Sequence, residues 1–282
     1  MLKAKALCAV EGNAVPENRP LMSVAEKPVL AGNTGDGSRL KGLVSNMQNM
    51  VIESVGDDDT IPGAVSQLAI KIMKNNGQIK DLLLELRQHY IRGQKEFHLS
   101  LAGRSESERM QIISLFQEMA GLISSVRYCS ESQSLNGTLL ITPKAQNFLS
   151  GQYLELAVYE TIRNVLQELA VQYKTEYEIY RNVRVATREG KAKNEFDTVI
   201  YFGGIFYVVE CKSGKNFNAW DSFAEIGRTY GIVPDRLLLV DSFVSDDRAE
   251  CIEYFCNYYV CNLSSSSLRE KVTNMISNDF AA

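Results

Sequence analysis

Apolar residues in the second half of the chain recur with periods that predict a defined series of strands and helices. The predicted strands lie at about residues 178–185, 195–202, 205–212 and 236–240. The predicted helices lie at about 152–172, 221–230 and 247–259. The order helix, three strands, helix, strand is typical of an α/β fold with a mixed sheet.

The first half of the chain alternates strand-like and helix-like patterns. Its predicted strands are 4–10, 28–31, 50–55, 96–102 and 126–129. Its predicted helices are 39–48, 64–74, 79–90 and 107–120. This alternation indicates a Rossmann-like domain. Because Pro143 to Ser150 reads as a boundary, we expect two domains, at residues 1–142 and 143–282.

The most informative segment is a predicted hairpin around Gly203-Gly204. Two β-branched and aromatic runs flank this pair of glycines, which is a strong signal for a tight primed turn. Counting back from the turn opposes Asp197 to Glu210 and Glu195 to Lys212. Because side chains alternate along a strand, we expect all four on one face of the ribbon.

Opposed carboxylates at Asp197 and Glu210 suggest a chemical role for that face. Directly opposed side chains have Cβ atoms roughly 5 Å apart, where like charges destabilise the pair. A divalent cation between them removes the repulsion, and Mg²⁺ takes oxygen ligands of this kind. Two acids with Lys212 two residues beyond the second suit metal-assisted phosphodiester cleavage. The alternative is a solvent-facing strand with scattered charges.

Composition limits the classes of protein to consider. With 282 residues, 45% of them hydrophobic, the chain can bury substantial cores. No run approaches the ~20 apolar residues of a transmembrane helix, and residues 1–10 lack the pattern of a secretory signal. We therefore expect a cytoplasmic protein that does not bind membranes. The six cysteines include no Cys-x-x-Cys pair, which favours buried free thiols over zinc ligands.

Charge along the chain is uneven. The net charge is −4, yet residues 181–215 contain seven basic and four acidic residues, a local charge of +3. A local positive patch is sufficient to attract phosphates. The candidate phosphate contacts are Arg188, Lys191, Lys193 and Lys215. A solvated surface with unrelated lysines is the alternative.

The residues Asp197 and Glu210-Cys211-Lys212 match the signature of the PD-(D/E)xK nucleases. The chain resembles this superfamily, and the tight hairpin that joins the two halves of the motif makes the match specific. The resemblance implies a restriction-endonuclease-like domain with Asp197, Glu210 and Lys212 as catalytic residues. It also implies a third acid on the preceding helix. Glu155 is the candidate for it, and Glu160 competes.

Three segments are similar to the nuclease domain of CRISPR ancillary nucleases. They are residues 148–155, 194–197 and 210–212, within a match over about 145–240. The resemblance implies Mg²⁺ or Mn²⁺ held by Asp197, Glu210, the backbone carbonyl of Cys211 and Glu155, with Lys212 orienting water. It further implies a CRISPR-associated Rossmann fold (CARF) sensor in the first half, degenerate here, that forms a homodimer and binds cyclic oligoadenylate.

Two glycine-containing junctions between a strand and a helix could bind the phosphates of such a ligand. We favour Gly103-Arg104-Ser105, where Ser105 and Glu108 form a predicted capping box that opens a helix. The second junction spans residues 32–38. Helix N-termini with free amides bind phosphates. Any α/β domain has such junctions, however, and a purely structural loop is the more common reading of them.

Two other functions are compatible with the sequence. One is a restriction- or repair-type endonuclease with no nucleotide activator. The other is a non-catalytic assembly protein that keeps a nuclease fold. An intact set of Asp197, Glu210 and Lys212 argues against the second function. The sequence leaves open whether the substrate is DNA or RNA, single-stranded or duplex.

Overall fold

Two sheets organise the part of the chain that the computed structural model describes, which is residues 38–47, 49–56, 62–119, 121–215, 218–263 and 267–280. The strands are β1 (Met50–Ser54), β2 (Glu96–Ser100), β3 (Ile123–Cys129), β4 (Ser134–Leu139), β5 (Tyr177–Thr187), β6 (Ala192–Phe202), β7 (Ile205–Lys212), β8 (Leu237–Asp241) and β9 (Tyr259–Asn262). The strands predicted at 4–10 and 28–31, and the 32–38 junction apart from Ser38, lie outside these residues.

Eight α-helices accompany the strands in the described residues. They are α1 (Gly63–Lys74), α2 (Asn76–Ile91), α3 (Glu106–Glu118), α4 (Pro143–Asn147), α5 (Tyr153–Tyr173), α6 (Trp220–Thr229), α7 (Asp246–Cys256) and α8 (Leu268–Phe280). Short 3₁₀ turns lie at Arg39–Val44 and Pro234–Arg236, and a π-type turn at Phe148–Gln152 connects α4 to α5.

The larger sheet has six strands in the order β1-β5-β6-β7-β8-β9. Neighbours from β1 to β7 are antiparallel, whereas β7, β8 and β9 are parallel. This confirms the predicted α/β class with a mixed sheet. The helix predicted to reach residue 259 ends earlier, because Asn257 adopts a left-handed φ of 57° and the chain continues as β9.

Helices cover both faces of this sheet. On one face, α1, α5 and α8 share a hydrophobic cluster with the inward residues of β5 to β9. On the other face, α6, α7 and Leu40, Leu43 and Val44 of the first 3₁₀ turn pack on the opposite set of strand residues. The long helix α5 spans the first cluster, with Leu154, Val158 and Ile162 buried at helical spacing.

The smaller sheet differs from the prediction for the first half. Its strands have the order β2-β4-β3, and both pairs are antiparallel. The described residues before Pro143 therefore form no parallel Rossmann-type sheet. The reason is β4, whose Ser134-Leu-Asn-Gly-Thr-Leu139 pattern is too polar to suggest a strand and which returns directly from β3 as a hairpin. A local hairpin enforces antiparallel pairing.

Strand β1 and its partner strand lie on opposite sides of the predicted division between residues 142 and 143. Strand β1 precedes the boundary, yet it pairs with β5 in the six-stranded sheet, with Met50 opposite Thr187. In addition, a single hydrophobic cluster extends from α1 through the smaller sheet to α8. The two predicted units thus share both a sheet and a core.

The turn between β6 and β7 is formed as the glycine pair predicts. Phe202 pairs with Ile205, and φ is 55° at Gly203 and 92° at Gly204. Positive φ at both central residues is the requirement of a type I′ turn. A Cβ on Gly203 would lie 2.5 Å from Cζ of Phe280, whereas one on Gly204 would meet no atom within 4 Å.

This difference gives a matched pair of substitutions. Gly203→Ala combines left-handed strain with a clash against Phe280, and we expect it to lower the free energy of unfolding by about 2–4 kcal/mol. Gly204→Ala carries the strain alone, about 1–2 kcal/mol. Urea unfolding followed by circular dichroism measures both. Equal losses would show that Phe280 moves aside without cost.

Candidate active site

The candidate catalytic residues lie where β6 and β7 separate. The β6–β7 ladder ends at the pair Thr198 and Val209, one pair before the predicted opposition of Asp197 and Glu210. Beyond that point the Asp197 carboxylate accepts a hydrogen bond of 2.7 Å from the Cys211 amide. The register of the ladder is therefore the predicted one, but the expected pairings of Asp197 with Glu210 and of Glu195 with Lys212 lie beyond its last pair, where the two strands separate.

The alternation of side chains slips by one residue at the same place. In β6, Ile200 packs on the α5 face, while Val199 and Phe196 both pack on the opposite face. In β5, Ile179 packs on the α5 face and Val183 on the other, with Asn182 between them at a φ of 49°. Because both strands slip together, their register is preserved across the site.

Lys212 contacts Glu210 directly. The Lys212 ammonium donates a hydrogen bond to Oε1 of Glu210, and the two side chains keep 30% and 18% of their surface exposed. The cluster is thus half-buried and open to solvent on one side. Glu195, which was expected to share this face, instead forms an exposed ion pair of 2.9 Å with Arg184.

Three carboxyl groups of the cluster hold protons more tightly than usual. Burial, reinforced by the nearby charges of Glu210 and Glu155, raises the pKa of Asp197 to about 8 despite the Cys211 amide. Burial also raises the pKa of Glu155, with Glu210 and Glu195 adding to the effect. These carboxyls share a low-dielectric pocket, in which ionising all of them is unfavourable.

The charges of Glu210 and Lys212 are linked. Burial raises the pKa of Glu210, and Lys212 opposes that shift. Burial alone would lower the pKa of Lys212, but the attraction of Glu210 and its hydrogen bond raise it overall. Lys212 therefore stays protonated beside Glu210.

Helix α5 brings Glu155 and not Glu160 to this cluster. The Glu155 carboxyl shares the electrostatic environment of Glu210, Lys212 and Arg181. Glu160 lies five residues further along the helix, which turns it away, and it pairs with Arg163. The structure thus favours Glu155 over Glu160 as the third acid near the motif.

A cleft of about 440 Å³ opens beside these residues. It is lined by Arg87, Ser150, Gly151, Leu154, Glu155, Cys211, Lys212, Ser213, Gly214 and Lys215. Ser213 donates a 3.0 Å hydrogen bond to the Ser150 carbonyl, which ties the segment after β7 to the turn before α5. A Cβ on Gly151 would lie 3.0 Å from Oγ of Ser213, so glycine permits this close approach.

The cluster offers a metal ion a small number of donor atoms, all of them oxygens. No group of three or more His, Cys, Asp or Glu side chains within the described residues has an arrangement that could hold a metal. Asp197 and Glu210 supply carboxylate oxygens, and the Cys211 carbonyl could supply a third. Hard cations such as Mg²⁺ bind through one or two carboxylates and retain several waters, so this set fits without Glu155 as a direct ligand.

The predicted phosphate contacts divide into two groups. Arg188 and Lys191, in the connection between β5 and β6, and Lys193, at the start of β6, are exposed and do not line the cleft. Lys215 does line it, and its ammonium forms a 2.8 Å ion pair with Asp81 of α2. Of the four, Lys215 alone is placed beside the candidate catalytic residues.

The junction favoured for ligand phosphates is occupied by its own helix cap. Ser105 and Glu108 form the predicted capping box, with the Glu108 carboxylate 2.8 Å from the Ser105 amide. Arg104 points to the Gln78 carbonyl, 2.6 Å away. The acidic Glu108 side chain stands where a phosphate would approach, so the contacts of Gly103, Arg104 and Ser105 are those of a helix start.

Two compositional expectations concern cysteines and membranes. The cysteines of the described residues are all free thiols, of which Cys211 and Cys261 are buried and Cys251 is exposed. Within those residues, none of the helices combines the length and the apolar character that a bilayer crossing requires.

Comparisons with known proteins identify the fold. No family model matches the chain, and no curated protein matches it significantly. Among solved structures it is similar to protein VC1899 from Vibrio cholerae, with 18% identity and a TM-score of 0.52 over 77% of this chain and 56% of that one. The chain shares this fold. It is also similar to Can2 from Sulfobacillus thermosulfidooxidans, solved with cyclic tetra-adenylate, with 15% identity and a TM-score of 0.51 over 77% and 57% of the two chains.

These matches show the architecture and not the activity. At 18% and 15% identity the likeness concerns the α/β fold. The chain spans little more than half the length of either solved structure, 56% and 57%.

Sequence patterns missed three residues of the site. Arg87 lines the cleft from α2, and Arg181 reaches the carboxyl cluster from β5, where it is buried. Ser213 joins the cleft from the segment after β7. Arg87 is 68 residues from Glu155 in sequence, so only the tertiary fold brings it there. One feature of the sequence could have indicated Arg181, namely that it is a charged residue inside a predicted strand.

Proposed function

We propose that this protein is a metal-dependent nuclease that hydrolyses phosphodiester bonds of DNA or RNA in a CRISPR-type antiviral defence. The observation that carries the proposal is the clustering of Asp197, Glu210, Glu155 and Lys212 beside an open cleft, with raised carboxyl pKa values. The fold shared with Can2 supports it, as does the match of Asp197 and Glu210-Cys211-Lys212 to the PD-(D/E)xK signature.

The residues present suit a Mg²⁺ or Mn²⁺ ion. Asp197, Glu210 and the Cys211 carbonyl offer oxygen donors, and a cation would stabilise the ionised carboxylates that burial now disfavours. When bound, such an ion supplies Lewis-acid activation of water and phosphate. Glu155 is close enough to sense the charge of Glu210 and would hold a water at the edge of the site.

Lys212 provides the positive charge that the reaction requires. Its raised pKa keeps it an ammonium. Attack of water on phosphorus forms one P–O bond and breaks another, and negative charge accumulates on the phosphoryl oxygens meanwhile. A fixed ammonium at the wall of the cleft stabilises that charge and orients the attacking water. To do so, Lys212 must exchange its contact with Glu210 for one with the substrate.

Regulation by a cyclic oligoadenylate is the second part of the proposal. Can2 was solved in complex with cyclic tetra-adenylate, and the motifs of the present chain resemble CRISPR ancillary nucleases, whose sensors bind such rings. A symmetric ring suits a two-fold dimer that presents the same surface twice. We therefore propose a homodimer in which the ring increases cleavage.

One assay tests both parts. Labelled DNA and RNA, single-stranded and duplex, are incubated with the protein and Mn²⁺, alone or with cyclic tri-, tetra- or hexa-adenylate. We expect cleavage that EDTA abolishes and that one ring accelerates. A cleavage rate that no cyclic oligoadenylate changes would contradict the proposed regulation but not the proposed nuclease activity. Absence of cleavage of all substrates under all conditions would contradict the nuclease itself.

A further inference from the structure

Phe243 occupies a fixed position beside the candidate active site. Strands β7 and β8 are parallel, and Lys212 is in register with Asp241 at their carboxyl ends. The Ser242 amide then donates a 2.9 Å hydrogen bond to the Lys212 carbonyl. Phe243 follows immediately, so its backbone is held one residue beyond this contact with Lys212.

The loop that carries Phe243 is rigidly attached. Oδ1 of the buried Asp241 accepts hydrogen bonds from the amides of Phe243, at 2.7 Å, and Val244, at 3.2 Å. The buried Asn76, at the start of α2, donates a 3.1 Å hydrogen bond to the Ser242 carbonyl. A side chain presented from such a loop is positioned by the scaffold and needs little ordering upon binding.

The Phe243 ring is not part of the core. It is partly exposed, and it belongs to neither hydrophobic cluster of the described residues, nor to the apolar side chains packed against them. Two lysine ammonium groups lie near the ring. The Lys80 ammonium lies 5.2 Å from the ring centre and the Lys215 ammonium 5.6 Å from it. Both distances are within the range of cation–π attraction.

Positive charge connects this ring to the cleft. Lys215 lines the cleft and also contacts the ring. Helix α2 supplies Arg87 to the cleft and Lys80 to the ring, seven residues or about two turns apart on one face of the helix. Asp81 of the same helix pairs with Lys215. An aromatic ring flanked by lysines along a groove is the arrangement that binds unpaired nucleotides, with bases stacked and phosphates paired.

We propose that Phe243, Lys80 and Lys215 form a stacking platform for an unpaired nucleotide next to the scissile phosphate. This inference rests on the proposed nuclease function and adds to it the strand form and the contacts of the substrate. A base lies on the Phe243 ring, and the two lysines move from the ring to the flanking phosphates. In a duplex the faces of the bases are buried against neighbouring base pairs. A duplex can therefore make the phosphate contacts with the lysines but cannot stack a base on the Phe243 ring.

Binding without cleavage tests the platform. Asp197→Asn protein in EDTA is titrated into a labelled oligonucleotide, and anisotropy gives the Kd. Adding Phe243→Ala should weaken binding about 10-fold, whereas Phe243→Trp should preserve it. On a strand with abasic sites instead of bases, Phe243→Ala should have no effect. Phe255→Ala, which removes an exposed phenylalanine of α7, is the matched control and should bind as the parent does.

The lysines are tested by salt dependence. Lys80→Ala and Lys215→Ala should each reduce the slope of log Kd against log salt by about 0.7–1. The exposed Lys144 serves as control. Equal effects of Phe243→Ala on intact and abasic strands would overturn the platform and leave the nuclease proposal standing. A parent protein that binds no strand would overturn both, and tight binding without cleavage by the wild-type protein would overturn the nuclease proposal alone.

Discussion

Asp197→Ala and Glu210→Ala are each expected to reduce the cleavage rate by about 10²- to 10³-fold, the scale of losing one preorganised electrostatic contact in an active site. Both side chains point into the same half-buried cluster, and both carboxyl pKa values are raised by burial. Lys212→Ala should cause a comparable loss, because Lys212 is the ammonium in direct contact with Glu210.

Controls separate this chemistry from a loss of folding. Asp235→Ala removes an exposed carboxylate outside the cleft and should cleave as the parent does. Glu160→Ala removes an acid from the same helix as Glu155, but one that pairs with Arg163, and should also retain activity. Rates are measured with Mn²⁺ on proteins whose circular dichroism matches the parent. A folded Asp197→Ala protein that cleaves at the parental rate would contradict the assignment of the site.

The hairpin could be predicted because its signal is local. Gly203-Gly204 dictates a type I′ turn, so the positions of β6 and β7 follow from five or six residues on either side. What the sequence could not show is where the ladder stops. The slip of β5 and β6 depends on Asn182 in a left-handed conformation. A strand-like sequence pattern that contains an asparagine does not indicate that this residue adopts such a conformation.

The first half was harder to predict because its topology is set by distant contacts. Each of its described helices and strands except β4 was indicated by periodicity, yet periodicity does not tell parallel from antiparallel pairing. Strand β1 joins a partner more than a hundred residues away, as Met50 pairs with Thr187. Arg87 likewise reaches the cleft through a contact between segments that are distant in sequence. Local patterns thus identify elements, whereas the site requires the tertiary fold.

The stability of the metal-free protein is expected to fall as pH rises from about 4 to about 8. An unfolded aspartate titrates near pH 4, but in the folded protein the pKa of Asp197 is raised to about 8, chiefly by burial. Between these values the folded state binds more protons than the unfolded state, so its stability decreases with pH. The pKa values of Glu155 and Glu210 are raised in the same direction and add to the slope.

Asp197→Asn should remove most of this pH dependence. The amide oxygen can still accept the Cys211 hydrogen bond, while the buried charge is gone. At pH 8 without divalent ions, we expect its melting temperature to exceed the parent's by roughly 5–10 °C, on a scale of about 2–4 °C per kcal/mol for a chain of this size. Mg²⁺ or Mn²⁺ should raise the melting temperature of the parent by mass action but not that of Asp197→Asn.

Differential scanning calorimetry from pH 5 to pH 8.5, with EDTA or with Mn²⁺, measures both effects. Asp235→Asn, an exposed aspartate outside the cleft, is the control and should follow the parent at every pH. Parallel profiles of melting temperature against pH for the parent and Asp197→Asn would show that the pKa of Asp197 is not raised in the folded protein. A Mn²⁺ response that persists in Asp197→Asn would place the ion elsewhere. The two readouts are independent of cleavage, so they test the charge cluster even if the substrate is unknown.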